Sequence, residues 1–320
     1  MSGGTVKVLK KLAGQIQAGT AYEEDALFLL PITGGAVGQT YDPIDDTSIS
    51  GEAFMDIPQQ GPRHVAGSGL GFQIDKISCP TILEAAFGTN TSEVFTLGTN
   101  AKKLSLVGID DVKENQYANC FVSKLSIAGA TGGLWLFNVD VVNETAESRN
   151  ALGTFPSNTA YDEPFTFHEA GGVNGYVRVG DADDALAAGD NICIEDFSLE
   201  INNGFADQHS SCSLGTLTPV FGMSPPSVSG SFKVARHESD QYQIWEDNHT
   251  PLQMCIYIYK DATATFKIEV PRFVISVGLS DEDVTRVDCE MKIGRNGVGT
   301  SYKNANMSFT SPVRITVINS

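Results

Sequence analysis

Gly67-Ser68-Gly69-Leu70-Gly71-Phe72-Gln73-Ile74 finds an echo in Ser227-Val228-Ser229-Gly230-Ser231-Phe232-Lys233-Val234. Ser48-Ile49-Ser50-Gly51-Glu52-Ala53-Phe54, just upstream of the first stretch, resembles the second as well. Each block leads to a short helix-like segment and then to long alternating strands. Internal repeats constrain architecture before any motif does. A weak duplication in an acidic, β-rich chain points to a structural unit that meets copies of itself. An enzyme built around one cleft has less need of two similar halves.

Working outward, the first half reads clearly. Gly67 to Asp75 alternates as a strand. Pro80-Thr81-Ile82-Leu83-Glu84-Ala85-Ala86-Phe87-Gly88 is predicted as a helix, with Pro in its first turn and Gly at its end. Lys103 to Ile109 and Phe121 to Ala128 are predicted strands. Gly129 to Gly133 turns the chain into a partner strand, Leu134 to Val141. In the second half, Phe197 to Asn202 alternates strictly and ends in the turn pair Asn203-Gly204. Ser227 to Ala235, Met254 to Tyr259, Thr263 to Val270, Phe273 to Val277 and Arg286 to Ile293 follow as strands, with a helix-like piece at Tyr242 to Asn248. Period-two alternation dominates, so the expected class is mainly β, an antiparallel sandwich or barrel with short flanking helices, internally duplicated. The expected organisation is an N-terminal arm or loop over 1–46, a first β module over 47–143, an inter-module arm or insertion over 144–190 and a second β module over 191–320.

The bulk composition fits such a protein. The 320 residues are 41% hydrophobic and 19% charged, which suits a folded chain with a sizeable core. Asp and Glu number 39 against 21 Lys and Arg, a net charge of -18. Ordinary nucleic-acid binding needs cations that displace counterions from phosphate, so that class is disfavoured. An anionic surface past which nucleic acid slides stays allowed. The six cysteines, Cys79, Cys120, Cys193, Cys212, Cys255 and Cys289, form no C-x-x-C pair. They read as reduced thiols of a protein made in a cytoplasm. The first residues lack the apolar core of a secretory signal, and no run reaches the length of a membrane span.

Motifs of chemistry are weak. Gly67, Gly69 and Gly71 precede a strand, whereas a dinucleotide loop must open a helix there. Close strand contact or a bulge explains them better. The five histidines lack metal-ligand spacing. Asp181-Ala182-Asp183-Asp184 and Asp281-Glu282-Asp283 read as solvated acidic turns. No nucleophile elbow occurs, and no carboxylate pair stands out. No catalytic residue, metal ligand or cofactor is expected. Trp135 and Trp245 read as core or interface anchors.

The strand faces say more. Phe197, Leu199 and Ile201 share one face of their strand, and Ser198, Glu200 and Asn202 share the other. Phe121, Ser123, Leu125 and Ile127 oppose Val122, Lys124 and Ser126. Val287, Cys289, Met291 and Ile293 oppose Asp288, Glu290 and Lys292. Such sheets have a core side and a wet side. The wet sides either meet bulk solvent or close, between subunits, around a polar channel.

The order of elements, with D-F-S-L-E-I-N-N-G at Asp196–Gly204, P-P-S-V-S-G-S-F-K-V from Pro225 to Val234 and F-K-I-E-V-P-R-F at Phe266–Phe273, resembles the tail tube (major tail) proteins of tailed bacteriophages, siphovirus type. The resemblance covers about residues 45–143 and 191–318. It implies a tail-tube β fold whose copies form rings stacked into a hollow tube for genomic DNA, with an acidic lumen. Two tube-like modules in one chain imply trimeric, pseudo-hexameric rings, with true hexamers as the alternative. Ser198, Glu200 and Asn202 become candidate lumen residues, with Lys124 and Ser126 their first-half counterparts. Implied partners are further copies of the chain, a tape-measure protein, and tail terminator and tail tip proteins. DNA passes without specific binding, and no membrane anchoring is expected. The implied location is the virion tail, after synthesis in the host bacterial cytoplasm. Residues 144–189 or the N-terminal 46 are the candidates for arms between rings. A contractile-tail tube, or a virion or cell-surface β-sandwich that recognises glycan or host protein, are the competing readings.

Overall fold

A computed structural model describes residues 11–19, 21–22, 27–44, 59–98, 102–109, 113–143, 148–151, 162–171, 174–208, 218–220, 226–235, 239–279, 286–293 and 311–318. Ser48 to Phe54, Asp281 to Asp283 and Cys212 lie outside them. The chain runs through β1 (Lys11–Ile16), β2 (Phe28–Leu30), β3 (Ile32–Ile44), β4 (Gln59–Gln73), α1 (Cys79–Phe87), β5 (Gly88–Thr91), β6 (Val94–Leu97), β7 (Leu104–Ile109), β8 (Lys113–Ala130) and β9 (Leu136–Asn143). It continues through β10 (Ser148–Ala151), β11 (Tyr176–Asp181), β12 (Ile194–Asn202), β13 (Ala206–Gln208), β14 (Thr218–Val220), β15 (Ser227–Ala235), α2 (Ser239–Asp247), β16 (Leu252–Asp261), β17 (Ala264–Leu279), β18 (Arg286–Ile293) and β19 (Arg314–Ile318). Single 3-10 turns stand at 167–170 and 188–190. The pairings between these strands are antiparallel.

The backbone of the architecture is a run of eight strands in the order β3-β4-β9-β8-β12-β15-β18-β17. Two long strands change neighbours along their length. The first part of β8 pairs with β7, which leads on to β1 and β2. From Lys124 onward β8 lies between β9 and β12. The first part of β17 lies between β16 and β19, and from Phe273 onward it pairs with β18. β16 carries β11 on its far side, and β19 carries β6 and then β5. Phe273 faces both Leu252 and Ile293, so β16 and β18 flank opposite edges of β17. Past Phe273 the β16-side edge of β17 has no strand beside it among the described residues. The outer edge of β3 is open in the same sense.

The alternating strands bury one face. Leu125 and Ile127 on β8, Phe197, Leu199 and Ile201 on β12, and Phe232 on β15 are all within 1% of full burial. Phe137 of β9 meets Phe266 of β17 across the core, ring centres 6.3 Å apart. Trp135 is fully buried and packs on Phe197 and Phe167 at 5.8 and 5.1 Å. Apolar side chains from Leu12 to Val317 join one core, so most of the chain contributes to a single hydrophobic interior.

Local chemistry explains the helices. α1 starts with Pro80 in its first turn and ends at Gly88, whose φ of +74° is a left-handed cap donating its N–H to the Glu84 carbonyl. Ahead of it, Asp75 accepts the N–H of Ile77 at 2.7 Å and that of Ser78 at 2.8 Å. α2 holds its place through Tyr242, which packs on Phe232 and Trp245 at 6.0 and 5.3 Å.

Several expectations shift. Thr263 to Val270 and Phe273 to Val277 are one strand, not two. Proline cannot donate to a ladder, and Pro271 lies in the gap between the two expected strands. Here Pro271 sits in a register shift between Leu252 and Met254, where a bulge absorbs the missing N–H. A second shift at Ser123 turns Val122 to the buried side, away from Lys124 and Ser126. Strands β1, β2 and β3 fall in the stretch read as an N-terminal arm. β10 and β11 fall in the stretch read as an insertion, pairing with β8 and β16.

Candidate functional site

Ser198, Glu200 and Asn202 occupy the face of β12 opposite its buried residues. The β12–β8 register sets Glu200 opposite Ser126 and Asn202 opposite Lys124. Residues directly opposite in an antiparallel pair share a face. The structure therefore brings all five candidate residues into one patch. Lys124 Nζ lies 2.8 Å from Glu200 Oε2, with side chains 39% and 40% exposed. The hydrogen bond to Glu200 raises the Lys124 ammonium above its ordinary pKa. Half exposed, the pair contributes at most about 1 kcal/mol to stability.

The same face extends beyond the patch. On β9, Asp140 stands opposite Lys124 and Asn138 opposite Ser126. Asp140 also accepts the Gly69 N–H at 2.8 Å, tying β9 to the β4 bulge. On β15, Ser227, Ser229 and Ser231 face Asn202, Glu200 and Ser198. On β18, Lys292, Glu290 and Asp288 face Ser229, Ser231 and Lys233, and Lys233 bonds Asp288 at 3.2 Å. Arg286, at the end of β18, pairs with Glu195. The face is thus rich in serine and modestly acidic: beside the Arg286–Glu195 pair, Asp140, Asp196, Glu200, Asp288 and Glu290 stand against Lys124, Lys233 and Lys292. The chain's net charge of -18 is not concentrated here. Asp140 and the β15 serines were missed as site residues. The alternation of Ser227 to Val234 carried their signal, but only the pairing of β15 with β12 joins them to the patch.

The glycine cluster has a steric role. Gly35 of β3 holds a φ of +89°, and a Cβ there would stand 2.5 Å from the Gly69 carbonyl oxygen. Gly69 has a φ of +62°. The two glycines allow β3 and β4 to approach through paired irregularities.

A family model described as phage tail tube protein matches residues 10–293. The chain belongs to the phage tail tube protein family. The match takes in both helices and all strands but β19. No curated protein matches the chain. Its mainly antiparallel β architecture is consistent with the β-sandwich tail tube fold, and its role is structural. It is a tail tube subunit and a component of the virion tail, and the family implies self-assembly into a tube with other tail proteins.

Proposed function

We propose that this tail tube protein carries two tube modules in one chain and that three chains close each ring of a siphovirus-type tube. One observation carries the reading: the partners of β4, β7, β8 and β9 recur among β15, β16, β17 and β18. In both sets the long third strand pairs first with the second and then with the fourth, and the fourth pairs back to the first. A nine-residue helix follows the first strand in both. β3 and β12 each lie on the outer side of that first strand. Each half then contributes four strands to the eight-strand run, and copies joined through its two open edges make a closed barrel.

In this reading the wet face, with Ser198, Glu200, Asn202, Lys124 and Ser126, lines the bore. Its mixed, serine-rich surface offers phosphates no cationic stripe to hold, and charge effects fade beyond about 8 Å at physiological salt. Genomic DNA passes without specific binding, and no catalysis is involved. A tape-measure protein fills the bore during assembly, and terminator and tip proteins close its ends. The β3–β4 hairpin pairs as far as Ile44 and Gln59, whereas β9 reaches only Ala66 of β4. This extension, within the N-terminal stretch and the start of the first module, is the arm we assign to contacts between rings. Image reconstruction of assembled tubes tests the proposal. Three chains per ring with β12 and β8 facing inward are expected, and six chains per ring or an outward-facing Glu200 would overturn it.

A further inference from the structure

We infer that Glu246 is a removable cap on the edge of β17 that receives β3 of a second copy. The inference rests on the ring reading above and names its contact. Glu246 Oε1 accepts the backbone N–H of Val277 at 2.9 Å and the Ser276 hydroxyl at 3.3 Å. Those groups belong to the part of β17 beyond Phe273 that has no strand on its β16 side among the described residues. An open strand edge is a template for pairing with another chain, and proteins cover it with charge until it is needed.

The first half has the same edge already filled. There β12 lies along β8, with Leu199 opposite Ile127 and Asn202 opposite Lys124. Ile127 faces Phe137, which faces Phe72, while Val277 faces Cys289, which faces Phe232. Val277 is therefore the counterpart of Ile127. On the other strand, Phe197 faces Phe232 and Ile32 faces Phe72, so Ile32 is the counterpart of Phe197. The eighth residue of α2 is Glu246, and the eighth residue of α1 is Ala86. The helix beside the filled edge carries no carboxylate at that place, and the helix beside the open edge does. Carrying the β12–β8 register across, up to the irregularities of β3, sets Ile32 of one copy opposite Leu279 of the next, and Thr33 opposite Gly278.

Two measurements test this. In a Cys193→Ser, Cys212→Ser background, Thr33→Cys with Gly278→Cys should form disulfides between copies without added reductant. Facing residues in an antiparallel ladder lie about 4.5–5.5 Å apart, within disulfide reach. A denaturing gel should show a ladder that stops at three chains. Rings seen by microscopy without cross-links would overturn the edge assignment and leave the ring reading standing. Cross-links running past three chains would keep the edge and overturn the three-chain ring. Separately, Glu246→Ala should speed assembly, followed by light scattering, by roughly tenfold or more, the order expected from losing one hydrogen bond to a charged group. Glu246→Gln, which keeps the acceptor oxygen, should stay near the parent. A Glu246→Ala protein with parental circular dichroism that assembles no faster would overturn the cap.

Discussion

Lys124 and Glu200 pair diagonally on the exposed side of neighbouring strands, and neither supports the core. Glu200→Lys should therefore leave tubes assembled while slowing DNA ejection, measured by dye release from phage. Swapping the pair as Lys124→Glu with Glu200→Lys should restore the parental rate. Asn203 behaves differently. Its side-chain amide donates at 2.8 Å to the carbonyls of Ala86 and Val122, and its own N–H bonds Ser123. It staples the end of β12 to α1 and to the β8 bulge. Asn203→Ala should cost about 2 kcal/mol in urea unfolding, because two buried acceptors lose their donor. The sequence showed Asn203-Gly204 as a turn pair. A side chain whose partners lie far off in the chain has no local signature, so this role was hidden.

Among the elements, β17 depends on Glu269. This carboxylate is buried and lies 2.7 Å from Lys267 Nζ and 2.6 Å from Arg314 Nε, linking β17 to β19. Burial opposes its ionisation, but the bonds from Arg314 and Lys267 together outweigh that, so its pKa falls below the usual 4.5. A depressed folded-state pKa adds stability above the unfolded value, and that stability is lost as pH falls through the folded one. Melting temperature should accordingly drop below about pH 4.5 in the parent, and drop less in Glu269→Gln. Strands such as β12, β15 and β18 were legible because each has one buried and one wet face, which imposes alternation. β1 was not, since Leu12, Ala13, Gly14 and Gln15 are all buried and leave no period to read. The unity of β17 was masked by Pro271, whose missing donor matters only where no bulge absorbs it.

At the scale of the molecule, the thiols report on the core. Cys79, Cys120, Cys255 and Cys289 are free and buried, and Cys193 is free and exposed. Burial pushes the Cys289 thiol up to about 12 and Cys255 to about 11. Maleimide at neutral pH should modify Cys193 and spare those four until denaturant is added, read by mass spectrometry. Composition could give a net charge of -18 but not its address, since only strand pairing decides which side chains share a surface. The reach of β8 and β17 into two sets of neighbours has a thermal consequence. Neither strand can leave one set of neighbours without pulling ladder bonds out of the other, and the β8–β12 and β6–β19 pairings join the halves, so these cannot melt one after the other. Calorimetry of the free subunit should record one sharp endotherm, the mark of a cooperative block and not of two plates on a hinge.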